Sequence, residues 1–425
     1  MAVTHKHHPH AMHHIRQSVH QDGRNKNNKR IWAGAAIILL LLAGYAQLKY
    51  AFLAQLALVD TNPPSFSYSQ TDPVALTDRA RQEHLINGDL VKARYFYDRA
   101  LDYCVLYVPA WLGLAELFND RGEKNRAVAA LEFVEKISRG NGNLAWSRAI
   151  LANELGRDDI LTANLVWLMK NQPGKRMAAI SLADLRWQDP LVLLRKFGDT
   201  FSPELLNYYI RVKELPKTRI VWQQLEQAGL NNRKNSLRYI NYLLAHGKIT
   251  AAAKTWARNF RDGDALLYNG HFKKPLIGSG FGWRISRRRG VAWHNPADKS
   301  GLRLTFDGSK NVSFRLAQIV PLPPGSYVFR GRAETDSLST NQRPFWMVRG
   351  FKCKGLIVRG AMFAANRSRS DFSLRFTVPE SCQAVWIALQ RNHSYDFDNK
   401  ISGTIVLDDL TVTGVAVKRV TMMHP

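Results

Sequence analysis

The chain has 425 residues, 45% of them apolar, with 60 Lys+Arg against 34 Asp+Glu. That length supports two or three domains, each with its own core, and excludes both a small disulfide scaffold and a wholly disordered chain; three cysteines form neither a zinc-ligand spacing nor a disulfide-rich module. The formal charge of +26 divides into about +5 over residues 1–30, +7 over 31–268 and +14 over 269–425, so the excess belongs to the C-terminal third.

Residues 1–30 hold seven of the thirteen histidines (His5, His7, His8, His10, His13, His14 and His20) among Lys, Asn and Gln. With almost nothing to bury, this tail is expected to be disordered. Flexible imidazoles without a thiolate or fixed geometry make a loose Zn²⁺ or Ni²⁺ tract at most, and an incidental polar tail is the simpler reading. Ile31 to Leu48 carries no charge, and the apolar character resumes from Tyr50 to Leu58. At about 1.5 Å per residue the uncharged stretch covers most of a ~30 Å hydrocarbon layer, so residues 31–58 are predicted to form one uncleaved transmembrane helix. Arg24, Lys26, Lys29 and Arg30 crowd its N-terminal flank. By the positive-inside bias the tail is then cytoplasmic, the rest lies outside, and the basic third does not meet chromosomal DNA. Residues 59–72, with Pro63-Pro64 and several Ser, read as a linker.

From Pro73 to about Asp262 apolar residues recur at three- and four-residue spacing, which predicts helices. Gly88, Gly122 and Gly156 lie 34 residues apart in short turns, and the same offset superposes Ala93 on Ala127, Tyr97 on Leu131 and Ala100 on Val134. This resembles the tetratricopeptide repeat. The copy from Tyr107 to Ser138 carries the pattern on Trp111, Leu114, Ala115, Phe118, Gly122, Ala127, Leu131 and Val134, and another divergent unit is expected around His246-Gly-Lys248, Ala252 and Trp256. Gln172-Pro-Gly174, Asp189-Pro190 and Leu215-Pro216 break helices at spacings that fit no repeat. The resemblance implies a concave protein-docking surface, with Tyr97, Trp111 and Phe118 as core.

After about Gly263 short alternating segments separated by Gly, Pro, Asn and Asp predict nine strands: Gly282–Ser286, Val291–His294, Gly301–Phe306, Val312–Val320, Ser326–Ala333, Phe345–Lys352, Phe372–Val378, Ala384–Gln390 and Thr404–Val412. They predict an all-β sandwich over residues 263–425. Tyr268-Asn-Gly-His-Phe272, then Phe281-Gly-Trp283, and the closing Gly403-Thr-Ile-Val-Leu-Asp-Asp-Leu-Thr-Val412 are similar to the first and last segments of jelly-roll carbohydrate-binding modules. Where such modules carry an acid after the opening Phe, which with an aspartate of the last strand helps hold a structural Ca²⁺, this chain has Lys273. Asp408 and Asp409 are left as the only metal candidates, and calcium is doubtful.

Sugar sites commonly pair an aromatic platform with polar side chains, and the candidates are Trp293, His294, Trp346 and Tyr395 with Arg343, Arg391 and Asn392. The simpler reading of Trp283, Trp346 and Trp386 is that they are sandwich core. Cys353 and Cys382 form a candidate disulfide in an oxidising compartment, leaving Cys104 buried on a repeat helix. No Gly-x-Ser-x-Gly, His-Glu-x-x-His or phosphate-binding glycine loop is present. Adjacent Asp408 and Asp409, on opposite faces of one strand, cannot form a glycosidase pair. The expectation is a non-catalytic inner-membrane protein of a Gram-negative-type envelope, with extracytoplasmic helical and sandwich domains. It would dock a protein partner, touch glycan or protein, including acidic polysaccharide, bind no nucleic acid, and assist surface or extracellular polysaccharide assembly or export. The alternative is an envelope scaffold without sugar binding.

Overall fold

The computed structural model describes residues 71–138, 142–260, 263, 265–286, 289–294, 301–394 and 399–415. The predicted tail, membrane segment and nearly all of the linker lie outside these residues; among the described residues no helix is long and apolar enough to cross a membrane. A helical region is followed by a β-sandwich of two sheets, and the chain divides into two compact units, Met1–Gln188 and Asp189–Pro425. The break falls within the helical run rather than near residue 262.

In the first unit α1 (Pro73–Leu85), α2 (Leu90–Tyr103), α3 (Val108–Asp120), α4 (Lys124–Ile137), α5 (Ala145–Glu154) and α6 (Asp158–Asn171) pack as successive hairpins, followed by α7 (Arg176–Trp187). The Asp72 carboxylate accepts from the Val74 and Ala75 amides with Pro73 at the first turn, and Asp89 accepts from the Lys92 amide, so both N-termini are capped by their own sequence. Gly88, Gly122 and Gly156 each adopt a φ near +70° (69°, 75° and 72°), a conformation that side chains resist. The 34-residue offset is also a burial offset: Ala93, Ala127 and Leu161, then Tyr97, Leu131 and Leu165, are all fully buried. Gly113 lets the Tyr97 ring approach so closely that an added Cβ would stand 2.3 Å from it.

Cys104 is a correction. It is exposed rather than buried, because α2 ends at Tyr103 and Cys104 is its extended C-cap residue.

The second unit opens with α8 (Pro190–Phe197), α9 (Ser202–Arg211), α10 (Leu215–Gln227), α11 (Arg233–Ala245) and α12 (Ile249–Phe260). Pro190 and Pro216 sit in first turns, where a missing N–H costs nothing, so they start helices. The sandwich contains β1 (Arg284–Ile285), β2 (Val291–His294), β3 (Leu302–Lys310), β4 (Arg315–Pro321), β5 (Gly325–Asp336), β6 (Phe345–Gly350), β7 (Ile357–Met362), β8 (Arg367–Val378), β9 (Ala384–Gln390) and β10 (Lys400–Gly414). One sheet runs β1-β4-β9-β6-β7 and the other β2-β3-β10-β5-β8, all neighbours antiparallel. Between them lies a core that includes Trp283, Leu304, Phe314, Phe329, Trp346, Ile387 and Ile405.

Two seams close this unit. At the first, Trp256 of α12 meets Tyr268 and Phe281 edge-on at 5.2 and 5.8 Å, and the Gly280 amide donates to Asn241 of α11 at 2.9 Å. At the second, the Leu410 amide donates to the Gly270 carbonyl at 3.1 Å. A Cβ on Gly270 would stand 1.9 Å from the Leu410 carbonyl oxygen, so the Asn-Gly of the opening segment is required by the last strand. Cys353 and Cys382 are disulfide-bonded, tying the β6–β7 turn to the residues before β9.

Candidate functional site

Strand alternation sends Leu316 and Val320 of β4, Trp346 and Val348 of β6, and Val385, Ile387 and Leu389 of β9 into the core. Their alternates form the outward face of the β1-β4-β9-β6-β7 sheet. Register aligns one row straight across all five strands: Arg284, Ala317, Ala388, Met347, Arg359. The row on one side holds Ile319, Trp386, Arg349 and Ile357, and the row on the other holds Arg315, Gln390 and Phe345.

Ala317 and Ala388 face outward yet are only 4% and 1% exposed, so larger neighbours must lie over them. Half-buried Trp386 is one: its ring carries the Arg284 and Arg315 guanidinium groups at 5.0 and 4.8 Å. On the far side Arg359 lies 3.9 Å from the Phe345 ring. Such stacking holds a guanidinium by one face, and Arg284 is further fixed by donating from Nη2 to the Gly280 carbonyl at 2.6 Å. Among the described residues none of Arg284, Arg315, Arg349 and Arg359 pairs with a carboxylate. Burial, and then the Arg315 charge, holds Arg284 below the usual guanidinium range; burial, and then the Arg349 charge, does the same to Arg315. The patch is therefore a concentration of like charge that favours an anion.

Beside this patch, α12 covers the end of β4. A cavity of about 730 Å³ there is lined by Trp256, Tyr268, Phe281, Ile319 and Pro321, with Lys254 and Arg258 at its helical side.

No protein-family model matches the chain, and no curated protein does. The β-sandwich resembles carbohydrate-binding modules. A CBM4 structure is 16% identical, covering 35% of this chain and 99% of that one, with a TM-score of 0.28. TmCBM61 in complex with β-1,4-galactotriose is 16% identical over 36% of this chain and 100% of that one, with a TM-score of 0.27. The N-terminal cellulose-binding domain of Cellulomonas fimi β-1,4-glucanase C is 17% identical over 32% and 90%, with a TM-score of 0.24. At these scores the chemistry of the site rests on its own residues.

The sequence candidates do not converge. Trp293 and His294 lie on β2, in the opposite sheet; Trp293 is paired with buried Leu304 and packs on the core, whereas His294 is exposed. Trp346 is 4% exposed and is stacked on Phe372 at 5.8 Å with Phe329 edge-on at 4.8 Å, so no ring face reaches solvent. Arg343 and Arg391 flank the β6 and β9 ends; buried Arg391 donates from Nε to the Gln342 carbonyl at 2.7 Å and pins that loop, and Asn392 is exposed. Tyr395 lies outside the described residues. Trp386, expected in the core, is outward, and its arginine neighbours Arg284, Arg315 and Arg349 were not legible in the sequence because they lie on three different strands.

Asp408 and Asp409 bring a second correction. β10 bulges between Asp408 and Thr411, and Asp409 has a φ of 54°. The bulge breaks the alternation, so the two carboxylates and His271 bring ligand atoms within 4.8 Å of one another instead of facing apart. Arg369 Nη2 lies 2.5 Å from Asp408, Arg332 is paired with Asp409, and His271 Nδ1 is 2.5 Å from the Asp409 carboxylate. A Ca²⁺ needs six to eight oxygen ligands, and here guanidinium groups already supply the positive charge. The residues do not fit calcium.

Proposed function

We propose that this is a non-catalytic, membrane-anchored envelope protein whose β-sandwich binds glycan and whose helical hairpins dock a protein partner, as an accessory to surface or extracellular polysaccharide assembly or export. The observation that carries the glycan reading is the rigid outward sheet face on which Trp386, Phe345 and Gln390 sit among four arginines free of carboxylate partners among the described residues. Sheet surfaces of this kind offer polar forks at fixed spacing, which suits a repeating polymer. The 34-residue recurrence of turn glycines and buried positions supports the tetratricopeptide-like reading of the first unit. Asp408 and Asp409 are ion-paired with Arg369 and Arg332, which supports a structural rather than catalytic role for that pair. The uncharged stretch Ile31–Leu48 and the basic residues before it support one membrane span with an extracytoplasmic C-terminus.

The full chain on a glycan array tests the binding reading; retention on at least one glycan class, weakened by Trp386→Ala with the fold intact by circular dichroism, is expected. Absence of binding to every class would leave the envelope scaffold without sugar binding. A reporter fused after Pro425 is expected to be active only outside the cytosol.

A further inference from the structure

Resting on the glycan reading of the outward sheet face, we infer that the ligand there is an anionic glycan, held by guanidinium groups on its carboxylates and not by stacking of sugar rings on exposed aromatics. The arginines occur on four of the five strands: Arg284 on β1, Arg315 on β4, Arg349 on β6 and Arg359 on β7. Arg284 and Arg359 end the same register row, separated by four strand spacings or roughly 19 Å. Arg315 and Arg349 stand on opposite sides of that row. The cations thus line a track several sugar units long instead of forming one pocket.

The aromatic rings of this face act as supports. A neutral sugar needs an open ring with free space over it, and these rings are occupied: the Trp386 indole carries two guanidinium groups, and the Phe345 ring, 2% exposed, carries a third. A neutral sugar finds no platform, whereas a carboxylate finds planar forks that match it in pairs. The same capping disfavours single-stranded nucleic acid, which needs open rings for its bases. Gln390, between Arg315 and Phe345 in one row, adds an amide suited to a hydroxyl. The lowered guanidinium values of Arg284 and Arg315 accord with this, since a bound anion relieves the repulsion that causes part of the shift.

The test uses the full chain with polygalacturonate and with the same polymer after carboxyl reduction, followed by affinity electrophoresis and titration calorimetry at two ionic strengths. The acidic polymer is expected to bind at least tenfold tighter than the reduced one. Arg315→Gln and Arg349→Gln are each expected to weaken it by roughly tenfold, with melting temperature unchanged. Arg303→Gln and Arg330→Gln, on the opposite sheet, serve as charge controls and are expected to change binding less than twofold. Equal binding of the two polymers overturns the anionic inference and leaves the glycan reading standing; binding of neither, with no glycan retained on the array, removes both. Binding of phosphatidylglycerol vesicles or of a polynucleotide with the same affinity and arginine dependence also overturns it, because the face would then read charge alone.

Discussion

At the scale of single residues, the first unit concentrates its stability where large and small side chains meet. Tyr97 is fully buried and its hydroxyl has no hydrogen-bond partner among the described residues, so burial pushes the phenol above its usual range. Tyr97→Phe is therefore expected to leave stability unchanged or to raise it by up to about 1 kcal/mol in urea denaturation. Gly113→Ala adds a methyl at the same contact and is expected to cost about 1–3 kcal/mol, recovered in part by Tyr97→Leu in the double variant. Glu116 is the complementary case on α3: burial raises its carboxyl pKa, with nearby Arg81 opposing the shift. A raised carboxyl means that the folded state holds its proton at a pH where the unfolded state has released it. Stability is thus lost as pH rises from the ordinary carboxylate range through the raised value, and the loss persists at neutral pH. Glu116→Gln should raise the denaturation midpoint at pH 7 and leave it unchanged at pH 3; a gain of equal size at both values would show that the charge is not the cause.

Elements show where sequence was informative. Turn glycines and small residues at a fixed offset are local signals, so the hairpins from Pro73 to Asn171 could be read from Gly88, Gly122 and Gly156 alone. The strand alternation of the sandwich was similarly legible. β7 was not: Ile357-Val-Arg-Gly-Ala-Met362 has a glycine at its centre and pairs only as an edge, through β6. For the candidate site, Ala384-Val-Trp-Ile-Ala-Leu-Gln390 does not say which alternate faces inward, because Ala384, Trp386 and Ala388 are as apolar as Val385, Ile387 and Leu389, and the first set is covered by arginines from other strands. Trp386 and Trp346 could be assigned only from cross-strand register. The Asp408–Thr411 bulge was hidden for the same reason, since an extra residue in a ladder leaves no compositional trace. The Cys353–Cys382 bond acts at this scale too. Its partners are 29 residues apart, so in the loop-entropy model it destabilises the unfolded chain by about 3.6 kcal/mol. Unreduced, denatured protein is expected to titrate one thiol, Cys104, and reduction to lower the melting temperature; three thiols without reductant would contradict the bond.

For the molecule as a whole, the seam at Trp256 decides what counts as a working piece. The α11–α12 hairpin and the sandwich belong to one compact unit, and Trp256 fills a socket where Gly280 leaves no room for a side chain: its added Cβ would stand 2.5 Å from the indole. Residues 263–425 alone would uncover Phe281 and Tyr268. Trp256→Ala is expected to cost about 3–5 kcal/mol and to bring forward one cooperative transition of the second unit in calorimetry. Separate transitions for the α11–α12 hairpin and the sandwich within that unit would show that they unfold independently.

One feature of the second sheet governs how the chain is born. β10 is the last strand among the described residues and lies in the middle of its sheet, between β3 and β5. Until the ribosome has synthesised Lys400–Gly414, β3 and β5 each present a bare ladder of amides and carbonyls, able to zip onto any neighbouring nascent chain. Assembly of this half therefore awaits β10, and a nonsense codon before Lys400 would yield an aggregation-prone fragment however complete its apolar pattern.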